Sequence, residues 1–437
     1  MPCTPFSRQK RARRADPPTT PTAVPDWTSL TDDLVRRVGD CLLATDDIDC
    51  YLAFRAVCHD WRRSATKDDH PSRRFHPSKW ALLDRRDDVL TLVNVETGRF
   101  LRRRIPLLRD CFFVGATAGG LLLLGESAYP YQARVLNPFT GSLAHFKAPV
   151  PVGRQAREVA VVMTSSTTMR VFVSTALGAI MWADQDSDYF HKCDAPFPNP
   201  SDLLCMVPFA GNVYLTNRQG SVLSISTAVG GVAGQGQRRR RSAETISSMA
   251  AATIIPASVE GGRSYYLVES GGELFLVTRP WYGVPGQLEV HRVDTMRKAL
   301  EPVRSIGNRA LFLSHVRCLS VDADKFRTVE AGCIYFVDQI VAGGSYFECS
   351  FMTTVRFPDG VQQPALDLSP VQQGCFRPFS LTHAFANYCK FIIQYSELRR
   401  KMIDDDEDFS DDYGYSDEED FSDDYESDDG GSSESDQ

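Results

Sequence analysis

The spacing of apolar residues changes character once along this chain. Between Trp27 and Ala65 it is helical. Leu34, Val38 and Leu42 recur at i, i+4 and i+8, and Leu52, Ala56 and Val57 are followed by Trp61 four positions after Val57. This predicts three short helices. Thr31 or Asp32 is placed to cap the first, with carboxylates in its opening turn, and Asp46 and Asp47 form a second capping cluster before Ile48. From Lys79 to about Met402 no long stretch keeps a helix period. Short apolar runs alternate with Gly, Pro, Asn and Asp instead: Val89–Val95, Gly120–Leu124, Val159–Met163, Arg170–Val173, Ser264–Val268, Glu273–Val277, Gln287–His291 and Cys333–Val337. These are closely spaced strand signals with no helices between them, which disfavours a parallel α/β sheet. A small or Gly-led turn precedes an apolar strand at Gly119-Gly120, Gly211, Gly271 and Gly332, as though opening the same inner strand of successive blades. At roughly 40–50 residues per blade the region would hold six to eight blades of a β-propeller. A pair of β-sandwich domains is the other arrangement left open.

The helical stretch is too small to bury all of its apolar surface alone, so it calls for a partner. Its residue order resembles the F-box. Phe54-Arg55-Ala56-Val57-Cys58-His59-Asp60-Trp61-Arg62 follows that family's closing pattern, while Thr31 stands after Leu30 where proline is usual. Proline suits an early helical position; threonine supplies a cap instead. The resemblance implies docking on an SKP-family adaptor, and through it on cullin and RING subunits. The residues expected at that contact are Leu30, Leu34, Val35, Val38, Leu42, Leu43, Leu52, Val57 and Trp61, each worth roughly 1.5–3 kcal/mol if fully buried. Some of them must form the internal core of the helical unit, and the sequence does not sort the two sets.

The β region carries a second resemblance. Trp80-Ala-Leu-Leu83 opens it, Cys111–Gly115 and Gly119–Leu122 follow, and Leu136-Asn137-Pro138-Phe139-Thr140-Gly141 reads as a turn opened by Asn-Pro and closed by Gly. Together with Phe379–His383 and Asn387-Tyr388-Cys389 near the other end, this layout looks like the plant proteins that join an F-box to a kelch-like "domain of unknown function 295". The expected organisation is a basic, Pro-rich, disordered arm over residues 1–25 and a small all-α F-box over 26–66. A linker over 67–78, a large all-β propeller-like domain over 79–402 and a disordered acidic tail over 403–437 complete it.

Charge sharpens the picture at the ends. The formal net charge is −8, but residues 404–437 hold 18 acidic and no basic residues, which leaves a body of about +10. Such dense like charge opposes compaction. The tail repeats Asp408-Phe-Ser-Asp-Asp-Tyr413 as Asp420-Phe-Ser-Asp-Asp-Tyr425, and Ser410, Ser416, Ser422 and Ser427 each precede acids, the context an acidophilic kinase reads. Arg238–Arg241 follows a Gly- and Gln-rich stretch and reads as an exposed loop. The cluster from Arg8 to Arg14 reads as either a nuclear import signal or a solvated basic arm. The N-terminus lacks an apolar leader, and no run is long enough to cross a bilayer. The 12 cysteines contain no Cys-x-x-Cys pair, as expected of reduced thiols in the nucleus or cytoplasm.

No catalytic constellation emerges. There is no phosphate-cradling Gly-rich loop and no nucleophile elbow. Cys58, His59, His70 and His76 fall close together in sequence but at the spacing of no zinc module. The expectation is therefore a non-catalytic chain without cofactor or metal. It would be the substrate-receptor subunit of an SCF-type ubiquitin ligase that holds an unidentified protein target through its β domain. The alternative is a nuclear nucleic-acid-associated or stand-alone binding protein whose acidic tail regulates charge. Basic residues are spread rather than gathered, which weighs against nucleic acid, and no membrane is implied.

Overall fold

A computed structural model of the protein describes residues 27–65, 75–151, 156–165, 168–175, 178–194, 203–227, 249–258, 262–281, 287–341, 348–363, 366–368 and 380–389. The N-terminal arm, Arg238–Arg241, the four serines of the tail and the tail itself lie outside the described residues.

Three helices come first: α1 (Asp32–Ala44), α2 (Ile48–Arg55) and α3 (His59–Ser64). Six sheets follow among the described residues, arranged in sequence as blades. Blade 1 is β1 (Trp80–Arg86), β2 (Val89–Asn94) and β3 (Phe100–Arg104). Blade 2 is β4 (Cys111–Ala116), β5 (Leu122–Glu126), β6 (Gln132–Leu136) and β7 (Leu143–Pro149). Blade 3 is β8 (Ala156–Met163), β9 (Met169–Thr175), β10 (Ile180–Asp184) and β11 (His191–Lys192). Blade 4 is β12 (Leu203–Phe209), β13 (Asn212–Asn217), β14 (Val222–Ile225) and β15 (Ala251–Ile255). Blade 5 is β16 (Arg263–Ser270), β17 (Glu273–Pro280), β18 (Glu289–Asp294) and β19 (Ala299–Pro302). Blade 6 contains β20 (Arg309–Leu313), β21 (Leu319–Asp322), β22 (Cys333–Val341), β23 (Glu348–Arg356), β24 (Val361–Gln362) and β25 (Leu366–Asp367). A last helix, α4 (Leu381–Cys389), ends the described chain.

The blades are antiparallel meanders, apart from a parallel pairing of β20 with β22 in blade 6. Neighbouring blades pack face to face. One apolar cluster joins blades 1 and 2 through Trp80, Leu92, Leu122 and Phe139, and another joins blade 1 to blade 6 through Ala81, Val93, Phe312 and Cys333. The ring is thus closed. Contacts across that last seam include Asp322 N–H donating to Val95 O at 3.0 Å and an Arg309–Glu96 ion pair at 2.7 Å. Strands buried on both faces need continuous apolar runs rather than alternation, which is what Leu122–Leu124 and Leu274–Val277 supply.

The turns explain how short strands follow one another so closely. Gly271 and Gly272 both take positive φ, at 61° and 85°, and join β16 to β17 in a two-residue hairpin that few other residues allow. The Gly-led turns do not open innermost strands, as the sequence suggested. Gly120, Gly211 and Gly271 precede β5, β13 and β17, the second strands of their blades, because it is the tight first hairpin that requires left-handed backbone. A different turn recurs further out. In Asn137–Gly141, between β6 and β7, the Asn carbonyl accepts from the Gly N–H, and the Asn side-chain oxygen accepts from two intervening N–H groups. Asn94–Gly98, between β2 and β3, repeats it. That match puts β1–β3 in the outer three positions of blade 1. No described strand holds the innermost position there, and α4 packs against β1, β20 and β22.

Candidate functional site

The helical unit is built around Val35, Tyr51, Trp61 and Ala65, all buried. Tyr51 donates to Ala65 O at 2.8 Å, Phe54 stacks near Trp61 at 4.5 Å, and Ser64 donates to Asp32 at 2.6 Å, so α1, α2 and α3 are fastened to one another. Gly39 lets α1 approach the Tyr51 ring, because an added Cβ would lie 3.2 Å from it. Thr31 is the N-cap of α1, though its side chain makes no capping bond. Cys58 caps α3 by accepting from Trp61 N–H through its sulfur.

Asp46 and Asp47 do something other than cap. Asp47 occupies the N-cap position of α2 without a side-chain cap bond. Asp46 takes left-handed backbone, φ 59°, and turns its carboxylate to the entry of blade 1. There it accepts from Ser78 N–H at 2.7 Å and Lys79 N–H at 2.8 Å. Its carbonyl accepts from the Trp80 indole at 2.7 Å. Asn94 donates to Thr45 O at 2.8 Å, and Arg99 forms a two-pronged ion pair with Asp49. Ile48, fully buried, enters the cluster between blades 1 and 2 beside Trp80 and Leu92. The α1–α2 turn therefore clamps the helical unit to the propeller. Sequence reasoning missed this because capping is the common use of a short acid before a helix, and the partners lie over thirty residues away.

The sequence-selected residues now fall into three groups. Val35 and Trp61 are interior, and Leu52 leans on the cluster between blades 1 and 2. Leu30, Leu42 and Leu43 are half-buried. Leu34, Val38 and Val57 stand 47%, 43% and 57% exposed. Leu34 and Val38 lie one turn apart on α1, so they share a face.

A second feature is the cavity of about 590 Å3 at the propeller axis. The inner strands line it with Val159, Val161, Met206 and Val268, and polar groups reach it from Glu158 and Arg317. Burial raises the Glu158 carboxyl well above the usual range, although its carboxylate accepts from Met206 N–H at 2.6 Å. At the blade 1 side of the cavity Lys79 pairs with Glu269 at 3.4 Å and Glu96 at 3.8 Å. Among the described residues no group of three or more His, Cys, Asp or Glu is arranged to hold a metal ion, and no helix is long and apolar enough to cross a membrane.

These features define a six-bladed β-propeller carrying a small helical unit fastened to its first blade. The family model described as KIB1-4 beta-propeller matches residues 92–358, more than half of the chain, and the chain belongs to that family. No curated protein sequence matches it. Among solved structures it is similar to PorZ, a surface component of the type-IX secretion system of Porphyromonas gingivalis. That likeness has 13% identity and a TM-score of 0.30, and covers 70% of this chain and 41% of that one. The chain thus spans less than half of PorZ. It is also similar to the N-terminal domain of Nup159, at 8% identity and a TM-score of 0.26, covering 67% of this chain and 74% of that one. The WD40 domain of SCAP from fission yeast gives 9% identity and a TM-score of 0.27, covering 64% and 82%. Superpositions this loose add nothing to the argument from the strands themselves.

Proposed function

We propose that the chain is a substrate-receptor subunit of an SCF-type ubiquitin ligase. In this reading the helical unit docks on an SKP-family adaptor, and the propeller holds a protein target and performs no bond-making step. The observation that supports it most is the surplus apolar surface on the helical unit. Leu34, Val38 and Val57 remain exposed although the unit already has an interior of its own and a clamp to blade 1. Apolar side chains left out on an otherwise fastened unit fit a surface that a partner covers. The residue order from Phe54 to Arg62 suggests which partner. Blade loops and the axial cavity offer surfaces for the target, which would be brought close to the ubiquitin carrier at raised effective concentration.

The test uses the full chain with Leu34→Asp and Val38→Asp together. Both positions are exposed, so the helices should stay folded. Co-purification with a plant SKP-family adaptor is expected to be lost for the double variant and kept for the wild type. An adaptor that binds both equally, or neither, would sink the ligase reading and leave a stand-alone propeller module.

A further inference from the structure

Two cysteines distant in sequence meet beside the axial cavity. Cys205 lies on β12, the inner strand of blade 4, and Cys318 stands just before β21, the inner strand of blade 6. Their sulfurs are 3.9 Å apart. The short link from β20 to β21 is held rigidly for this encounter. Ser314 Oγ accepts from Val316 and Arg317 N–H, both at 3.0 Å, and donates to Cys389 O at 2.6 Å. Both thiols point at the same acceptor, the Ser314 carbonyl, at 3.7 Å and 3.5 Å. Cys205 is buried, whereas Cys318 is only partly so and lines the cavity. The pair has a neighbour in α4, where Cys389 donates to Phe312 O.

We propose that Cys205 and Cys318 are an oxidation site: a dithiol that a peroxide entering the axial cavity converts to a disulfide. A disulfide needs its sulfurs at about 2.0 Å, so from 3.9 Å they must close roughly 2 Å. The chemistry balances within the pair and the oxidant. The Cys318 sulfur, once deprotonated, attacks one peroxide oxygen, and the O–O bond breaks to give Cys318 sulfenic acid and hydroxide, which takes up the released proton as water. The Cys205 sulfur then attacks the sulfenic sulfur, the S–S bond forms, and the second oxygen leaves as water with the Cys205 proton. Two thiols are oxidised and one peroxide is reduced. Burial and the neighbouring Cys205 sulfur hold the Cys318 thiol well above its usual range, so its deprotonation is the slow part of the first step and quickens as the pH rises. The contact activates Cys205 instead: the hydrogen bond from Cys318 outweighs burial and lowers its pKa, which suits it to the second attack. The new bond would tie blade 4 to blade 6 past blade 5 and fix the segment carrying Arg317 and Cys318 on the cavity wall.

The experiment treats the folded full chain with hydrogen peroxide, blocks free thiols and maps disulfides by mass spectrometry without reduction. The expected result is one dominant Cys205–Cys318 link, a loss of two free thiols, and full recovery with dithiothreitol. Cys389→Ser should leave the link intact, and Cys205→Ser should abolish it, with Cys318 accumulating as sulfenic acid trapped by dimedone. If peroxide yields no Cys205–Cys318 link while circular dichroism shows the strands intact, the proposal is overturned. A link from Cys318 to Cys389 in the wild type overturns it equally. Recovery that fails under dithiothreitol would mean over-oxidation rather than a reversible site, and would also overturn it.

Discussion

Asp46 shows how much one residue does here. Its carboxylate receives two backbone N–H groups and lies near Lys79, all of which favour the charged form. Burial outweighs them and pushes its pKa up to about 6. The unfolded chain releases this proton near pH 4 and the folded chain keeps it to about pH 6. The group's contribution to stability is therefore complete below pH 4 and is lost as the pH rises through 6. His315 works in the opposite sense. Burial lowers it to about 4, so its contribution is present above its usual pKa of 6.5 and is lost as the pH falls through 4. Only a difference between variant and wild type isolates Asp46. Asp46→Asn keeps one oxygen for Ser78 and Lys79 while removing the buried charge. It should stabilise the protein at pH 7.5 by about 1–3 kcal/mol and change little at pH 4. Urea midpoints at both pH values check this, and a variant equally shifted at the two would exclude Asp46 as the titrating group.

At the scale of elements, the helical unit is not an appendage. The α1–α2 turn places Ile48 in the cluster between blades 1 and 2, where Trp80 and Leu92 surround it. Ile48→Ala should cost about 2–4 kcal/mol through lost burial and a residual cavity. The loss should also appear as faster hydrogen exchange in β1 and β2, because the side chain supports both. Faster exchange confined to α2 would mean that the clamp carries no load in the propeller. The same arrangement argues against testing adaptor binding with an isolated helical fragment, which would lose the partners of Asp46, Ile48 and Asp49. It also gives a physical reason for the exposed apolar face of α1. The propeller covers the turn between α1 and α2, so Leu34 and Val38 receive no cover from it.

At the scale of the whole molecule, a ring must close, and blade 1 and blade 6 close this one with help from α4. Phe385 is fully buried there, its ring 5.3 Å from Phe312 and 5.0 Å from Phe326, while Thr382 donates to Thr328 O at 2.5 Å. Phe385→Ala should cost about 3–5 kcal/mol. Because it opens a seam rather than a surface, it should lower the single cooperative unfolding midpoint of the propeller. A separate early transition, with the remaining blades unfolding at the wild-type midpoint, would show that α4 is not part of the closure.

The strands, their tight turns and the three N-terminal helices were legible in the sequence because each rests on local physics. Apolar runs such as Leu274–Val277 mark buried strands, Gly271-Gly272 allows a left-handed tight turn that few other residues adopt, and Leu34, Val38 and Leu42 repeat at a helical period. The repeat length bounded the blade number without choosing it. Only the tertiary structure decided what depends on remote segments meeting. Six sheets closed the ring, although blade 1 has no described inner strand. Val35 went inside while Leu34, its neighbour in sequence, stayed exposed, since a helix period names a face but not which partner covers it. Asp46 became a clamp rather than a cap, because Ser78 and Lys79 come to it from blade 1. Cys205 and Cys318 are 113 positions apart, and only the closing of the ring sets their sulfurs 3.9 Å from one another.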